Sequence, residues 1–404
     1  MGKKLLYISR CNSLSSPHNE ICLPALARDG WDITVLAPFA EESIMHKHIP
    51  YTAKFRNLPT GGRAMEIATA KAILRARISG YSVLYLHSQS LATRAAIWLT
   101  GPKMGLRIAY HNPDYYDPFS WPLHRWLESY VARKADLNLN NEFHRAYIAR
   151  ADGKLRSPIV TAPIMLPAAW PFPAPVAEIR KQVSAAAADN PFVLVLHGGY
   201  SEVRAVPELF KALSMLPDRF RLVMFQKEHC EAETTDILNK LGLSHRVLRL
   251  PGMPLDGLLN YTVNCDAGVL LYKNNDLGNF FTAPGRLTEY IGAGIPVLAS
   301  NHTGLENIVW RMDLGVTVNS KDPASIARGI ELLAKLKGDG RYQKHRLVDA
   351  FIKHLAFDNF AGDIVASFNR LLNPTHCSNP PPPTFPWLKT SALSGKGADL
   401  PTVD

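Results

Sequence analysis

Short apolar runs alternate along this chain with longer stretches in which apolar residues recur every three or four positions. Residues 5–9, 33–36, 83–86, 107–110 and 137–139 have the length and continuity of strands buried on both faces. A second series follows at 192–196, 222–225, 247–250, 268–271, 297–299 and 316–318, separated by helical patterns such as 207–216 and 323–336. Strand and helix in alternation predict parallel sheets with helices on both faces, and two series predict two such sheets.

Between the series, prolines at 163, 167, 171, 173 and 175 precede the alanine run 185–188, a composition that suits a linker. The expected organisation is a first domain over 1–165, a hinge over 166–190, a second domain over 191–355, a last helix over 356–372 and a Pro-rich tail over 373–404. The tail holds four consecutive prolines at 380–383 and then Gly, Ser and Lys, too little apolar surface to offset ordering entropy, so disorder is expected there. A length of 404 residues agrees with two domains.

Composition narrows the class. At 47% hydrophobic and 20% charged residues, most of the chain is expected to fold as a globular protein. The net charge of +10 suits phosphates, nucleic acid or an anionic membrane face as partners, with a solvated basic surface as an equal alternative. Cys11, Cys22, Cys230, Cys265 and Cys377 are scattered, without a C-x-x-C pair, which argues for a reducing compartment and against structural zinc. The apolar run after Lys3-Lys4 is too short for a signal peptide, and no stretch reaches the ~18 apolar residues of a membrane span. A cytoplasmic location is expected, with peripheral contact at the inner membrane face as an addition.

Missing motifs decide something too. The dinucleotide fingerprint G-x-G-x-x-G after a strand and the phosphate loop G-x-x-x-x-G-K-[ST] do not occur, which disfavours ordinary dehydrogenases and P-loop kinases. Without a D-x-D pair no metal is expected against a diphosphate, and there is no G-x-S-x-G nucleophile elbow.

The most informative stretch runs from Thr282 to Ser300, TAPGRLTEYIGAGIPVLAS. Leu287, Tyr290 and Ile291 recur at helical spacing, so a short helix is expected over 284–293, opening at Pro284-Gly285 and ended by Gly294. Free N–H groups at the helix start, with Arg286 in the first turn, suit a diphosphate. Glu289 is expected on the same face, where it would accept from a ribose diol. The alternative is an ordinary surface Arg–Glu pair.

This run, from Ala283 to Val297, resembles the donor-site signature P-x-[KR]-x-x-E-[YF]-x-x-x-G-x-P-V of retaining glycosyltransferases of the GT-B fold, family 4 type (group 1). The resemblance implies an α/β GT-B fold, two doubly wound Rossmann-like domains facing a central cleft, and covers about residues 1 to 372. It places Arg286 on the donor phosphates and Glu289 on the ribose. It departs at Phe281, where many members carry a further Glu. The segment from Phe192 to Arg204, FVLVLHGGYSEVR, matches in order: a strand, a turn at Gly198 and Gly199 whose backbone N–H groups approach a phosphate, and Arg204 adding charge. The segment from Val247 to Asp256, VLRLPGMPLD, resembles the base-binding loop, with backbone near Gly252 and Met253 reading the base, a plain turn being the alternative. Glu306 caps the next helix or touches the donor. The helix expected at 358–372 corresponds to the one that crosses back to the first domain in such enzymes.

On the acceptor side, Tyr110-His-Asn-Pro-Asp114 closes a strand at the carboxyl edge of the sheet, where ligands bind in open α/β folds. The resemblance supports His111 near the reacting sugar, with Asp114 beside it; a His bonded to a loop carbonyl is the alternative. The first loop supplies Ser15, Ser16 and His18 to the same edge. His87 ends another strand and reads as a satisfied loop histidine, with a place in the acceptor site as the alternative. The aromatic cluster Tyr115, Tyr116, Phe119, Trp121 and Trp126 reads as ordinary packing, with stacking on a sugar as the alternative.

The expected function is metal-independent, retaining transfer of a sugar from a UDP- or GDP-sugar to an acceptor hydroxyl in glycan or glycoconjugate biosynthesis. The nucleotide-sugar is a substrate and no cofactor is expected. Arg204, Arg286 and helix N-termini would neutralise the leaving diphosphate. The acceptor, a glycan, a lipid-linked sugar or a small molecule, is left open. Rival readings are a nucleotide-sugar epimerase or inverting transferase of the same fold, a catalytically inactive binding module, and a DNA-modifying transferase; nucleic acid is the weaker partner.

Overall fold

In a computed structural model, residues 2–14, 17–60, 62–76, 78–87, 106–112, 122–184, 190–226, 231–282 and 285–373 are described. The expected disordered tail therefore lies, apart from Asn373, outside the described residues. The chain divides into two units, Met1–Trp170 together with the chain from Ala356, and Pro171–Leu355.

The first unit is built on a seven-stranded sheet in the order β3-β2-β1-β4-β5-β6-β7, all strands parallel. The strands are β1 Lys4–Ser9, β2 Asp32–Ala37, β3 Ala53–Asn57, β4 Val83–His87, β5 Arg107–Asn112, β6 Leu137–Asn140 and β7 Ile159–Thr161. One face packs Leu6, Ile8, Leu84, Leu86, Ile108 and Tyr110 against Met65 and Ile73 of the helix Gly62–Ala76. The other receives the helix Asp358–Leu372, which enters the unit from the far end of the chain. Its Phe368 is fully buried, edge-on to Trp31 at 6.0 Å and Tyr85 at 5.2 Å. Burying a side chain of this size stabilises by roughly 2–3 kcal/mol. Asp358 Oδ2 accepts from the Ala168 backbone N–H at 2.7 Å, and Asn369 donates to Asp29 at 2.8 Å.

The second unit holds a six-stranded parallel sheet in the order β10-β9-β8-β11-β12-β13. Its strands are β8 Phe192–Leu196, β9 Phe220–Gln226, β10 Val247–Pro251, β11 Ala267–Leu270, β12 Val297–Ser300 and β13 Gly315–Val318. Gly315 is required where β13 closes on β12: a Cβ there would stand 1.9 Å from the Val297 carbonyl oxygen. The stretch expected as a hinge carries a helix of its own, Ala177–Val183, tied into this unit by Arg180, which donates to Asp266 Oδ2 and to the Asn264 carbonyl, both at 2.9 Å. Apolar Ile179 and Val183 in a proline-rich surround gave that stretch a weak helical signal. Both sheets are doubly wound α/β, as the alternation of runs predicts. Each reverses its strand order once, at β1/β4 and at β8/β11, and such reversals open a crevice at the carboxyl ends of the strands.

Candidate functional site

At the β8/β11 reversal the second unit has a pocket of about 700 Å³. Its walls are the loop after β8 (His197 to Arg204), Phe225 of β9, Gly252 and Met253 after β10, Tyr272 after β11, and Arg286 and Glu289 of the helix Arg286–Gly292. The sequence therefore names Gly198, Gly199, Arg204, Gly252, Met253, Arg286 and Glu289 as one lining, drawn from three separate segments.

Backbone shape at Gly198 sets the geometry. Its φ of +143° is strained for any side chain, and an added Cβ would lie 2.5 Å from Arg204 Nη1 and 3.9 Å from Arg286 Nη1. Two guanidinium groups thus converge over one glycine, each close enough to share an anion. Arg286 Nη1 donates to the His197 carbonyl at 2.9 Å and Nη2 to the Tyr272 hydroxyl at 3.0 Å. Among the described residues no carboxylate forms an ion pair with either arginine; the nearby acids Glu202 and Glu208 are held by Lys273 at 3.1 and 2.8 Å. Burial, and next the Arg286 charge, lowers the Arg204 pKa from its ordinary value. Burial also works against the Arg286 charge, but Tyr272, Tyr290 and Glu289 outweigh it, and its pKa is raised. The pocket therefore holds an excess of positive charge at one end.

Glu289 corrects the sequence reading. Its Oε2 lies 2.7 Å from His197 Nδ1, buried, rather than reaching outward for a diol. His197 Nε2 meets Thr262 Oγ1 at 2.6 Å, and that hydroxyl donates to the Leu258 carbonyl at 2.7 Å. Because the Thr262 proton is spent on Leu258, Nε2 is the donor to Thr262, and one proton lies between Nδ1 and Glu289. The His197 backbone N–H donates to the Tyr290 hydroxyl at 2.9 Å. His197 is thus the hub that ties Arg286, Glu289 and Tyr290 to the end of β8. Sequence reasoning passed over it as part of a glycine turn, since its partners lie 65 to 93 residues away.

Further corrections concern backbone groups. The Gly252 N–H is committed to the Gln226 carbonyl at 3.0 Å, so it is not offered to a base, and Met253 lines the pocket beside it. Gly285 precedes a helix of seven residues, and its carbonyl accepts from the Thr288 hydroxyl at 2.7 Å. Pro284 lies outside the described residues. Glu306 sits within the first turn of the helix Thr303–Met312, whose start has no side-chain cap, and burial raises its pKa.

In the first unit, His111 ends β5 with both ring nitrogens engaged: Nδ1 with the Tyr85 hydroxyl at 2.9 Å and Nε2 with Asn141 Oδ1 at 2.7 Å. Burial pulls its pKa down to about 4, and that of His87, 4.7 Å away ring to ring, well below the usual value. His111 and His87 thus form a neutral, buried pair at the carboxyl edge of the sheet. His18 is half-buried in the turn Pro17–Glu20. Ser15, Ser16 and Asp114 lie outside the described residues, as do Tyr115, Tyr116, Phe119 and Trp121, while Trp126 is exposed. Among the described residues no three His, Cys, Asp or Glu side chains are grouped to hold a metal ion, and no helix is long and apolar enough to cross a membrane.

Comparison with known proteins places this geometry. Residues 177–348 match the family model described as Glycosyl transferases group 1. Compared with curated proteins by sequence, the chain matches none. Among solved structures it is similar to HepE of Anabaena in complex with UDP, at 15% identity and a TM-score of 0.69, over 91% of this chain and 99% of that one. It is equally similar to a sucrose-phosphate synthase of Thermosynechococcus elongatus, at 15% identity and a TM-score of 0.69, over 92% and 100%. MnaA of S. aureus in complex with UDP follows at 14% identity and a TM-score of 0.60, over 94% and 100%. At these identities the likeness establishes the fold, two Rossmann-like α/β domains of GT-B type. The matched domain carried on that fold makes the chain a glycosyltransferase.

Proposed function

We propose that this chain transfers a sugar from a UDP-sugar to an acceptor hydroxyl, with the donor diphosphate between Arg204 and Arg286. The observation that carries the reading is the convergence of these two guanidiniums over Gly198, in a pocket where among the described residues no carboxylate pairs with either of them. A diphosphate supplies the missing negative charge, and bidentate contact with a guanidinium is the strongest form such a contact takes. UDP is preferred to GDP because similar structures, HepE and MnaA, are complexes with UDP.

As the glycosidic bond to the diphosphate breaks, negative charge grows on the leaving oxygen. Two preorganised cations in a half-buried pocket stabilise that charge more than the ground state and lower the barrier. The same charge neutralisation needs no metal, and in this reading UDP leaves while the sugar passes to the acceptor oxygen with its configuration retained. Glu289 acts from behind the pocket, fixing His197, whose carbonyl holds Arg286. The acceptor is a glycan, lipid-linked or small-molecule hydroxyl of glycoconjugate biosynthesis.

The test is UDP release from UDP-sugars and UDP affinity in Arg286→Ala and Arg204→Ala. Loss of one charge-assisted contact of about 1.5–3 kcal/mol weakens UDP binding roughly ten- to a hundredfold. Wild-type affinity and turnover in both variants would remove the proposal. Product analysis separates an epimerase: a sugar inverted at its 2-position with no transfer would replace this reading.

A further inference from the structure

The helix Gly62–Ala76 lies on the first unit, and its two faces differ in an unusual way. Met65, Thr69, Ile73 and Ala76 are buried on the inner side. The outer side carries Ile67 and, two residues past the helix end, Ile78, which are 54% and 80% exposed, with Leu74 between them at 49%. Spacings of seven and four residues put the three on one stripe, with Ile67 and Leu74 about 10 Å apart along the axis. The Ile78 N–H donates to the Arg75 carbonyl at 3.0 Å, which continues the turn.

The flanks of the stripe are basic. Arg63, Lys71 and Arg75 are all exposed. Glu66, the only acid between residues 62 and 80, is drawn inward to Arg10 at 2.7 Å and is itself half-buried. Large aliphatic side chains left in water beside cations, with no acid to balance them, are the composition of a helix that lies in a lipid interface. A protein partner fits less well, since lysine is depleted at the centre of protein interfaces and Lys71 stands between Ile67 and Leu74. At a bilayer the same lysine lays its aliphatic stem along the stripe and turns its ammonium to the headgroups.

We infer that this face docks the protein on an anionic phospholipid bilayer, Ile67, Leu74 and Ile78 entering the headgroup boundary while Arg63, Lys71 and Arg75 contact lipid phosphates. The docking is reversible: the stripe is short, and the cations contribute as much as the apolar groups. It brings the enzyme to the surface where a lipid-linked acceptor would be found, but it stands independently of the donor site.

The experiment is flotation of the full chain with vesicles of phosphatidylcholine alone and with added phosphatidylglycerol, at low and high salt. The protein is expected to float with anionic vesicles only and to be released by salt. Neutralising each cation should lower the partition coefficient about fivefold, so R63Q/K71Q/R75Q loses on the order of a hundredfold. I67S/L74S/I78S should lose binding already at low salt, where the wild-type protein floats. Both variants should keep the wild-type melting temperature and UDP affinity, because none of these side chains is in either core. The proposal is overturned if the protein ignores anionic vesicles, or if I67S/L74S/I78S still floats. It is also overturned if light scattering shows a dimer that this variant dissolves, since the stripe then belongs to a second copy.

Discussion

Replacing Gly198 by alanine tests the donor site with a single methyl group. The added Cβ would stand 2.5 Å from Arg204 Nη1, 3.7 Å from Arg204 Cζ and 3.9 Å from Arg286 Nη1. What it meets is the far end of a flexible side chain, so the Arg204 guanidinium swings out while Arg286, held by His197 and Tyr272, stays. The φ of +143° adds a conformational cost of about 1–3 kcal/mol, seen as a melting temperature lower by several degrees. The displaced guanidinium costs the contact it would make to a diphosphate, about 1.5–3 kcal/mol, or roughly ten- to a hundredfold in UDP affinity. Titration calorimetry with UDP on Gly198→Ala, Arg204→Ala and the double variant gives a cycle. If the glycine acts by placing Arg204, the double variant binds UDP no more weakly than Arg204→Ala alone. Gly198→Ala with a lowered melting temperature but unchanged UDP affinity, or a double variant whose losses simply add, would refute this account of the site.

Glu289→Ala should lower stability by about 1–3 kcal/mol by leaving His197 Nδ1 without its partner, whereas Glu289→Gln, with the same shape and a hydrogen bond in reverse, should melt close to wild type; equal melting of all three would show that the contact bears no weight. Gly268→Ala would place a Cβ 2.2 Å from Tyr290 Cδ2, on a ring fixed through its hydroxyl to His197, and should cost upwards of about 1–3 kcal/mol and disorder the pocket; a soluble variant with native melting and UDP binding would contradict that packing. His111 is neutral in the fold, with its pKa depressed from 6.5 to about 4, so its contribution is present above pH ~6.5 and is lost as pH falls toward about 4, a total of about 3 kcal/mol. An NMR titration of the His111 ring should have its midpoint near that lower value, and a midpoint above pH ~6 would disprove it.

The strands that wear their burial openly were legible in the sequence. All six strands of the second unit fall where an apolar run predicts them, although Arg249 interrupts the run of β10. In the first unit β3, with the sequence AKFRN, alternates exposed and half-buried positions at the sheet edge, and β7 has only three residues; neither has a run to read. The arginines and glycines of the pocket could be read because they stand in short segments that resemble the family's donor-site signature in order. What spacing cannot convey is direction: Glu289 shares a helix with Arg286, yet one reaches the side chain of His197 and the other its carbonyl. A histidine whose partners are supplied by helices far along the chain leaves no local trace.

The helix Asp358–Leu372 completes the first unit, although nearly two hundred residues of the second are synthesised before it. At ribosomal rates the opening sheet therefore waits for about 10–40 s with the ground under Trp31 and Tyr85 uncovered, while the contiguous second unit can close on its own. Vectorial synthesis thus makes the later unit the earlier folder. It also makes a stop codon near residue 356 more damaging to the amino-terminal half than to the half beside it.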